Sequence, residues 1–193
     1  MKKVLILALG VMMIASLSYA VDGQPFIGVF VDQGATDCTL DVLAPNLYSV
    51  YLVQTGQSGI SCSAMIVDSG IGIALAGVDV MTPLSIGNAF TGIEFSYGVC
   101  DPDGIVLAKI NYTWFGSPAI TPCSSLEVVD HPMAGGILVA DCTLPSPVLH
   151  VAQGGLLTVN GDPGICPDRC AWQEPNAVEQ TSWGQIKALY TEE

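Results

Sequence analysis

The stretch Ile93-Glu94-Phe95-Ser96-Tyr97-Gly98-Val99-Cys100-Asp101-Pro102-Asp103-Gly104-Ile105-Val106-Leu107-Ala108-Lys109-Ile110-Asn111-Tyr112-Thr113-Trp114-Phe115 decides the reading of the fold. Its two runs, Ile93 to Val99 and Ile105 to Phe115, are rich in β-branched and aromatic residues and flank Asp101-Pro102-Asp103-Gly104. Strong strands on either side of a Pro/Gly turn read as a β-hairpin. In the second run Tyr112 and Trp114 share one face and Phe115 takes the other, because successive side chains alternate across a strand.

The same signals recur on both sides. Phe26 to Val31 is apolar and β-branched or aromatic and stops at Asp32-Gln33-Gly34. Leu47 to Val53 alternates in part, with Tyr48, Val50 and Leu52 on one face, and Gly56-Gln57-Ser58-Gly59 makes a turn. Ile60 to Val67 then places Ile60, Cys62, Ala64 and Ile66 on one face and Ser61, Ser63, Met65 and Val67 on the other, a period of two. Ile71 to Val80, Leu126 to Val129, Gly136 to Cys142 and Leu156 to Val159 are further short apolar runs bounded by turn residues. No segment before about residue 175 shows a helical period. Regularly spaced short strands predict an all-β fold, a two-sheet antiparallel β-sandwich of cohesin-like or immunoglobulin-like type with a short C-terminal helix.

The ends differ from this body. Met1-Lys2-Lys3, an apolar run from Val4 to about Ile14, and the small-residue exit Ser18-Tyr19-Ala20 have the form of an export signal. The run is shorter than the roughly 20 apolar residues of a spanning helix. The expected organisation is therefore a signal peptide over 1–20, a sandwich over 21–165, a linker over 166–181 and an amphipathic helix or tag over 182–190. Loss of Lys2 and Lys3 leaves Lys109, Arg169 and Lys187 against 18 acids, a net charge of −15. Such a surface repels phosphate backbones and excludes nucleic acid as a partner. No transmembrane span is expected after cleavage.

All seven cysteines lie beyond the signal. In an exported chain they are expected to pair, leaving one over, with Cys166–Cys170 as the local candidate. No metal site and no cofactor is indicated, since the histidines lie far from any cysteine pair and no Cys-x-x-Cys is present. Asp101-Pro102-Asp103-Gly104 begins like a calcium loop, which makes Asp101 and Asp103 a weak calcium candidate and no more. The following Ile105-Val106-Leu107-Ala108 supplies no side-chain oxygens.

Near the C-terminus, Ser182-Trp183-Gly184-Gln185 has capping-box spacing, and Trp183, Ile186, Leu189 and Tyr190 fall on one helical stripe. Nine residues are too few for an isolated helix, since about 12–15 are marginal in water. Four such side chains left in water forgo roughly 1.5–3 kcal/mol each. The stripe therefore either docks on the body or serves as a sorting tag.

The run from Glu179 to Tyr190 resembles the ending of a group of uncharacterised exported bacterial proteins, which finish in Thr-Trp-Gly-x-Ile-Lys-x-Leu-Tyr. Ile27-Gly28-Val29-Phe30-Val31-Asp32, followed by Cys38, resembles the opening of their bodies. More distantly, the body resembles cohesin-like β-sandwiches of bacterial surface assemblies. The resemblance implies a fold and carries no activity.

Catalytic constellations are sparse. Asp130-His131 with Ser124 or Ser125 as nucleophile is the one triad-like set, but adjacent strand residues point to opposite faces, so Asp130 is badly placed to orient His131. His150 has no motif around it. Glu94, Asp101 and Asp103 are the carboxylates a glycosidase reading would use. Tyr112 and Trp114 are the pair that could stack a sugar, with a buried core pair as the plainer alternative. The expectation is an exported, non-enzymatic structural or binding module, extracellular, on the cell surface or periplasmic, with a protein or glycan partner. A carbohydrate-binding module using the Tyr112–Trp114 face is the second reading and a secreted hydrolase the third.

Overall fold

In a computed structural model, the structure describes residues 24–68, 72–101, 105–117, 119–162 and 165–166. The strands in chain order are β1 (Phe26–Phe30), β2 (Thr39–Leu40), β3 (Asn46–Thr55), β4 (Gly59–Asp68), β5 (Ala74–Val80), β6 (Leu84–Asn88), β7 (Gly92–Asp101), β8 (Ile105–Trp114), β9 (Ser124–Val129), β10 (Leu138–Ala140), β11 (Leu149–Val151), β12 (Gln153–Gly154) and β13 (Leu156–Val159). They form the expected two-sheet sandwich, pairing antiparallel except for two short parallel contacts, β1 with β12 and β13 with β2. The first sheet runs β12-β1-β3-β8-β5. The second runs β11-β10-β4-β9-β13-β2, with β7 along the other side of β4 and β6 beyond it. The expected C-terminal helix lies outside the described residues.

The hairpin expected around Asp101–Gly104 does not form. Both runs are strands, but β7 pairs with β4 and β6 while β8 pairs with β3 and β5, so the turn carries the chain from one sheet to the other. Each strand already has a partner on both edges, which leaves no ladder for the two to share. Gly56 in the β3–β4 connection serves a similar crossover. Its φ is +86°, and a Cβ there would meet the Gln24 carbonyl oxygen at 2.7 Å, so only glycine fits.

The last strands cross more abruptly still. The Gly155 N–H donates to Ile27 O of β1 in the first sheet, and its carbonyl accepts from Val128 N of β9 in the second. A Cβ on neighbouring Gly154 would lie 2.0 Å from Val128 O, so the step between layers requires a bare backbone.

The face read from Ile60 to Val67 is confirmed by burial. Cys62, Ala64 and Ile66 are in the core and Ile60 at its edge is half-buried, while Ser61, Met65 and Val67 of the other face are half-buried or exposed and Ser63 is buried at the groove floor. Phe30, Leu52, Ile110 and Tyr112 of the first sheet and Phe95, Ile66, Leu126 and Leu157 of the second are among the largest fully buried side chains. Each contributes roughly 1.5–3 kcal/mol of hydrophobic stabilisation. In β8 a register shift opposite Leu52/Val53 lets adjacent Leu107 and Ala108 both be buried, an irregularity that period-two reading misses.

Disulfides brace the layers from outside. Cys100 at the end of β7 bonds Cys142, and Cys123 before β9 bonds Cys166, with sequence separations of 42 and 43. The chain-entropy model gives roughly 4 kcal/mol for closing a loop of that size. Cys166 is thus not paired with Cys170, because its sulfur is already taken by a partner that β-sheet folding brings close. Cys38 is also disulfide-bonded, and Cys62 is the free, buried thiol.

Candidate functional site

Tyr112 and Trp114 do not make a sugar platform. The same-face inference was correct, but that face is the inner one: Tyr112 is 0% exposed and Trp114 is half-buried against the core. The Tyr112 hydroxyl is buried without a hydrogen-bond partner, and desolvation pushes its pKa up.

The triad-like set is also dispersed. His131 is buried in the β9–β10 connection, and its Nδ1 accepts from the N–H groups of Met133 (3.3 Å) and Ala134 (3.1 Å), while Asp130 is exposed. Ser124 donates from Oγ to Thr121 O at 2.6 Å. At about 3.3 Å rise per residue, six or seven positions of strand put Ser124 and Ser125 about 20 Å from His131. On β7 the register slips between Ser96 and Asp101, so Glu94 opposes Ser63 and Asp101 opposes Gly59. Four β4 residues, about 13 Å, separate the two positions, wider than a glycosidase carboxylate pair. Of the partial calcium site, Asp103 lies outside the described residues, and no group of three or more potential metal ligands occurs among the described residues.

An unforeseen acid–base pair does form. Asp141 Oδ2 lies 3.1 Å from His150 Nε2, since β10 and β11 pair on either side of the connection that Asp141 begins. Asp141 Oδ1 accepts from Val148 N (2.8 Å) and Thr143 N (2.9 Å), and Oδ2 from Thr143 Oγ1 (3.0 Å). The backbone donors Val148 and Thr143, then His150, hold its carboxyl below the ordinary carboxylate range. Every oxygen is used to tie the loop, so the pair reads as a brace.

Cys62 is equally unsuited to nucleophilic chemistry. Burial pushes its thiol up to about 12, partly offset by a hydrogen bond with Tyr97. The Tyr97 hydroxyl donates to Gln54 Oε1, and Gln54 Nε2 donates to Gln57 O at 2.6 Å. This chain of contacts links the second sheet to the first through the core.

What the sandwich does present is a groove of about 530 Å³ on the outer face of the second sheet. Strand register builds it from two rows. Leu84 of β6, Ser96 of β7, Ser61 of β4, Ala140 of β10 and Leu149 of β11 are consecutive cross-strand neighbours. Ile86, Glu94, Ser63, Leu138 and Val151 form the second row, two residues along. Small residues make the floor, and the walls are apolar and exposed: Leu84 57%, Ile86 65% and Leu149 65%. Four strand spacings of about 4.8 Å set the wall strands roughly 19 Å apart. Exposed apolar side chains scattered singly are ordinary, whereas a contiguous set rimming a groove marks a contact surface.

The sequence held half of this site. Ser61 and Ser63 share one face of β4 by alternation alone, whereas β6 and β11 emerge only in the structure. Their pieces, Leu84-Ser85-Ile86-Gly87-Asn88 and Leu149-His150-Val151, are too short to show a period; the alternation of Leu84 and Ile86 was the available signal.

No protein-family model matches the chain, and comparison with curated proteins finds no match. Solved structures do resemble it. The seventh ScaB type I cohesin from Pseudobacteroides cellulosolvens is similar at 15% identity and a TM-score of 0.49, covering 72% of this chain and 94% of that one. A chain of the CaDoc0917–CaCohA2 complex is similar at 18% identity and a TM-score of 0.47, covering 70% and 99%. A chain of the Coh-OlpA–Doc918 complex, a type I cohesin–dockerin complex from Clostridium thermocellum, is similar at 7% identity and a TM-score of 0.47, covering 70% and 99%. Each likeness is one of fold.

Proposed function

We propose that this protein is an exported, non-enzymatic binding module whose protein partner docks on the outer face of the second sheet. The observation that carries this reading is the pair of cross-strand rows, with exposed Leu84, Ile86 and Leu149 flanking a floor of Ser61, Ser63, Ser96 and Ala140. Water in such a groove is released when an apolar surface enters it, and that release drives association. Export is supported by the form of residues 1–20 and by two disulfides among the described residues, which persist in oxidising compartments. Among the described residues no helix is long and apolar enough to cross a membrane. The module works outside the cytoplasm, in the periplasm, at the cell surface or in the medium.

A photo-crosslinking residue tests the surface directly. Placed at Ile86 or Leu149 in the producing cells, it is expected to trap a discrete second protein. Placed at Leu43 or Phe115, which are exposed at 83% and 77% but lie off the groove, it should trap none. Equal capture from all four positions, or none from the groove, would overturn the assignment.

A further inference from the structure

The groove has a candidate occupant within the chain. We propose that Ser182–Tyr190 of the same molecule docks in it through Trp183, Ile186, Leu189 and Tyr190, as a resident occupant that a partner must displace. This rests on reading the groove as a docking surface.

Three observations support it. The first is reach. The described chain ends at Cys166, which its disulfide pins to Cys123, beside Ser124 at the start of β9. Leu126 of β9 lies opposite Asp68 of β4, Cys123 lies three residues further out, and the groove floor is at Ser61 and Ser63, so the tether point is roughly 30 Å away along β4. Residues 167–181 span up to about 50 Å when extended, which is ample.

The second is shape. Wall strands about 19 Å apart, each carrying a leucine-sized side chain, leave close to the 10–12 Å diameter of a helix. Read as a helix, Ser182–Tyr190 is about 14 Å long and offers a single apolar stripe, which matches a groove closed on two sides.

The third is charge. Glu94 is the charged side chain lining the groove, in a protein with 18 acids. Lys187 is one of three basic residues beyond residue 20. It follows Trp183 by four positions, on the flank of the same stripe. A basic residue beside the apolar anchors thus meets the acid set among the apolar walls.

The test uses the full-length chain with a photo-crosslinking residue in place of Tyr190. At micromolar concentration the expected product is an intramolecular crosslink to peptides of β6, β10 or β11. Glu94→Lys, an exposed change that leaves the core intact, should lower its yield severalfold at 150 mM salt. Combining it with Lys187→Glu should restore the yield. Crosslinks that map elsewhere, that join only separate chains, or that ignore the charge reversal would overturn the proposal. The two readings also fail separately. If probes at Ile86 and Leu149 trap an outside protein while the Tyr190 probe misses the groove, the tail is not the occupant and the docking surface stands. If those probes trap only the Ser182–Tyr190 peptide, the tail proposal stands and the outside partner falls.

Discussion

The two outer faces of the sandwich are chemically opposed. On the first sheet, Ser49 of β3 donates to Asn111 Oδ1 of β8 at 2.8 Å, and Asn111 Nδ2 donates to Asp79 of β5 at 3.0 Å, a polar ladder across three strands. The exposed apolar residues of that sheet, Leu47, Leu75 and Val80, sit near a strand start or on the edge strand. In the groove of the second sheet, serines occupy the centre and leucine and isoleucine the walls. The chain can therefore cover a sheet with mutually satisfied polar groups, and at the groove it presents apolar walls instead. Exposure of the second face is specific to it, which is why contact is assigned there.

Adjacent residues on β7 give the largest contrast. Phe95→Ala removes a fully buried ring and should cost about 3–5 kcal/mol in denaturant unfolding. Glu94→Ala, one residue away on the groove side, should change stability by less than about 0.5 kcal/mol. A large loss from Glu94→Ala would mean that Glu94 is structural rather than a solvent-facing groove residue and would break the contrast as drawn.

The polar ladder predicts a middle-sized effect. Asn111→Ala severs both of its contacts and should destabilise by about 1–2 kcal/mol, read from a shifted urea midpoint at constant slope. No shift would show the ladder to be solvated rather than structural, and the first face would lose its distinction.

The smallest effect concerns the next residue of β8. Tyr112→Phe removes a buried hydroxyl that has no hydrogen-bond partner, so stability should be unchanged or rise by up to about 1 kcal/mol. The melting temperature should hold or increase by a few degrees. A clear decrease would reveal a partner for that hydroxyl and sharpen the account of the core.

Strand content was legible because alternation is local. The inward set Cys62, Ala64 and Ile66 and the pairing of Tyr112 with Trp114 on one face both follow from a period of two. Whether a face looks in or out is not local, and that is how an inward face was weighed as a sugar platform. Similarly, Cys166 has a neighbour four residues away in Cys170, yet bonds Cys123, 43 residues distant, because a sulfur pairs with what the fold puts beside it.

By itself, the sequence determined an all-β chain, which residues of each long strand share a face, a cysteine set suited to an oxidising compartment, and an acidic surface that repels nucleic acid. Each of these depends on residue type and near neighbours. The tertiary structure alone decided that β7 and β8 enter different sheets, that β6 and β11 flank β4 at two strands' remove, and that Asp141 meets His150. Those outcomes depend on how hydrogen-bond edges are shared among strands far apart in the chain, and any one strand's pattern is compatible with several partners. The groove belongs to that second class. Its rows take one or two residues from each of five strands, too few in any of them to be seen before the strands are laid side by side.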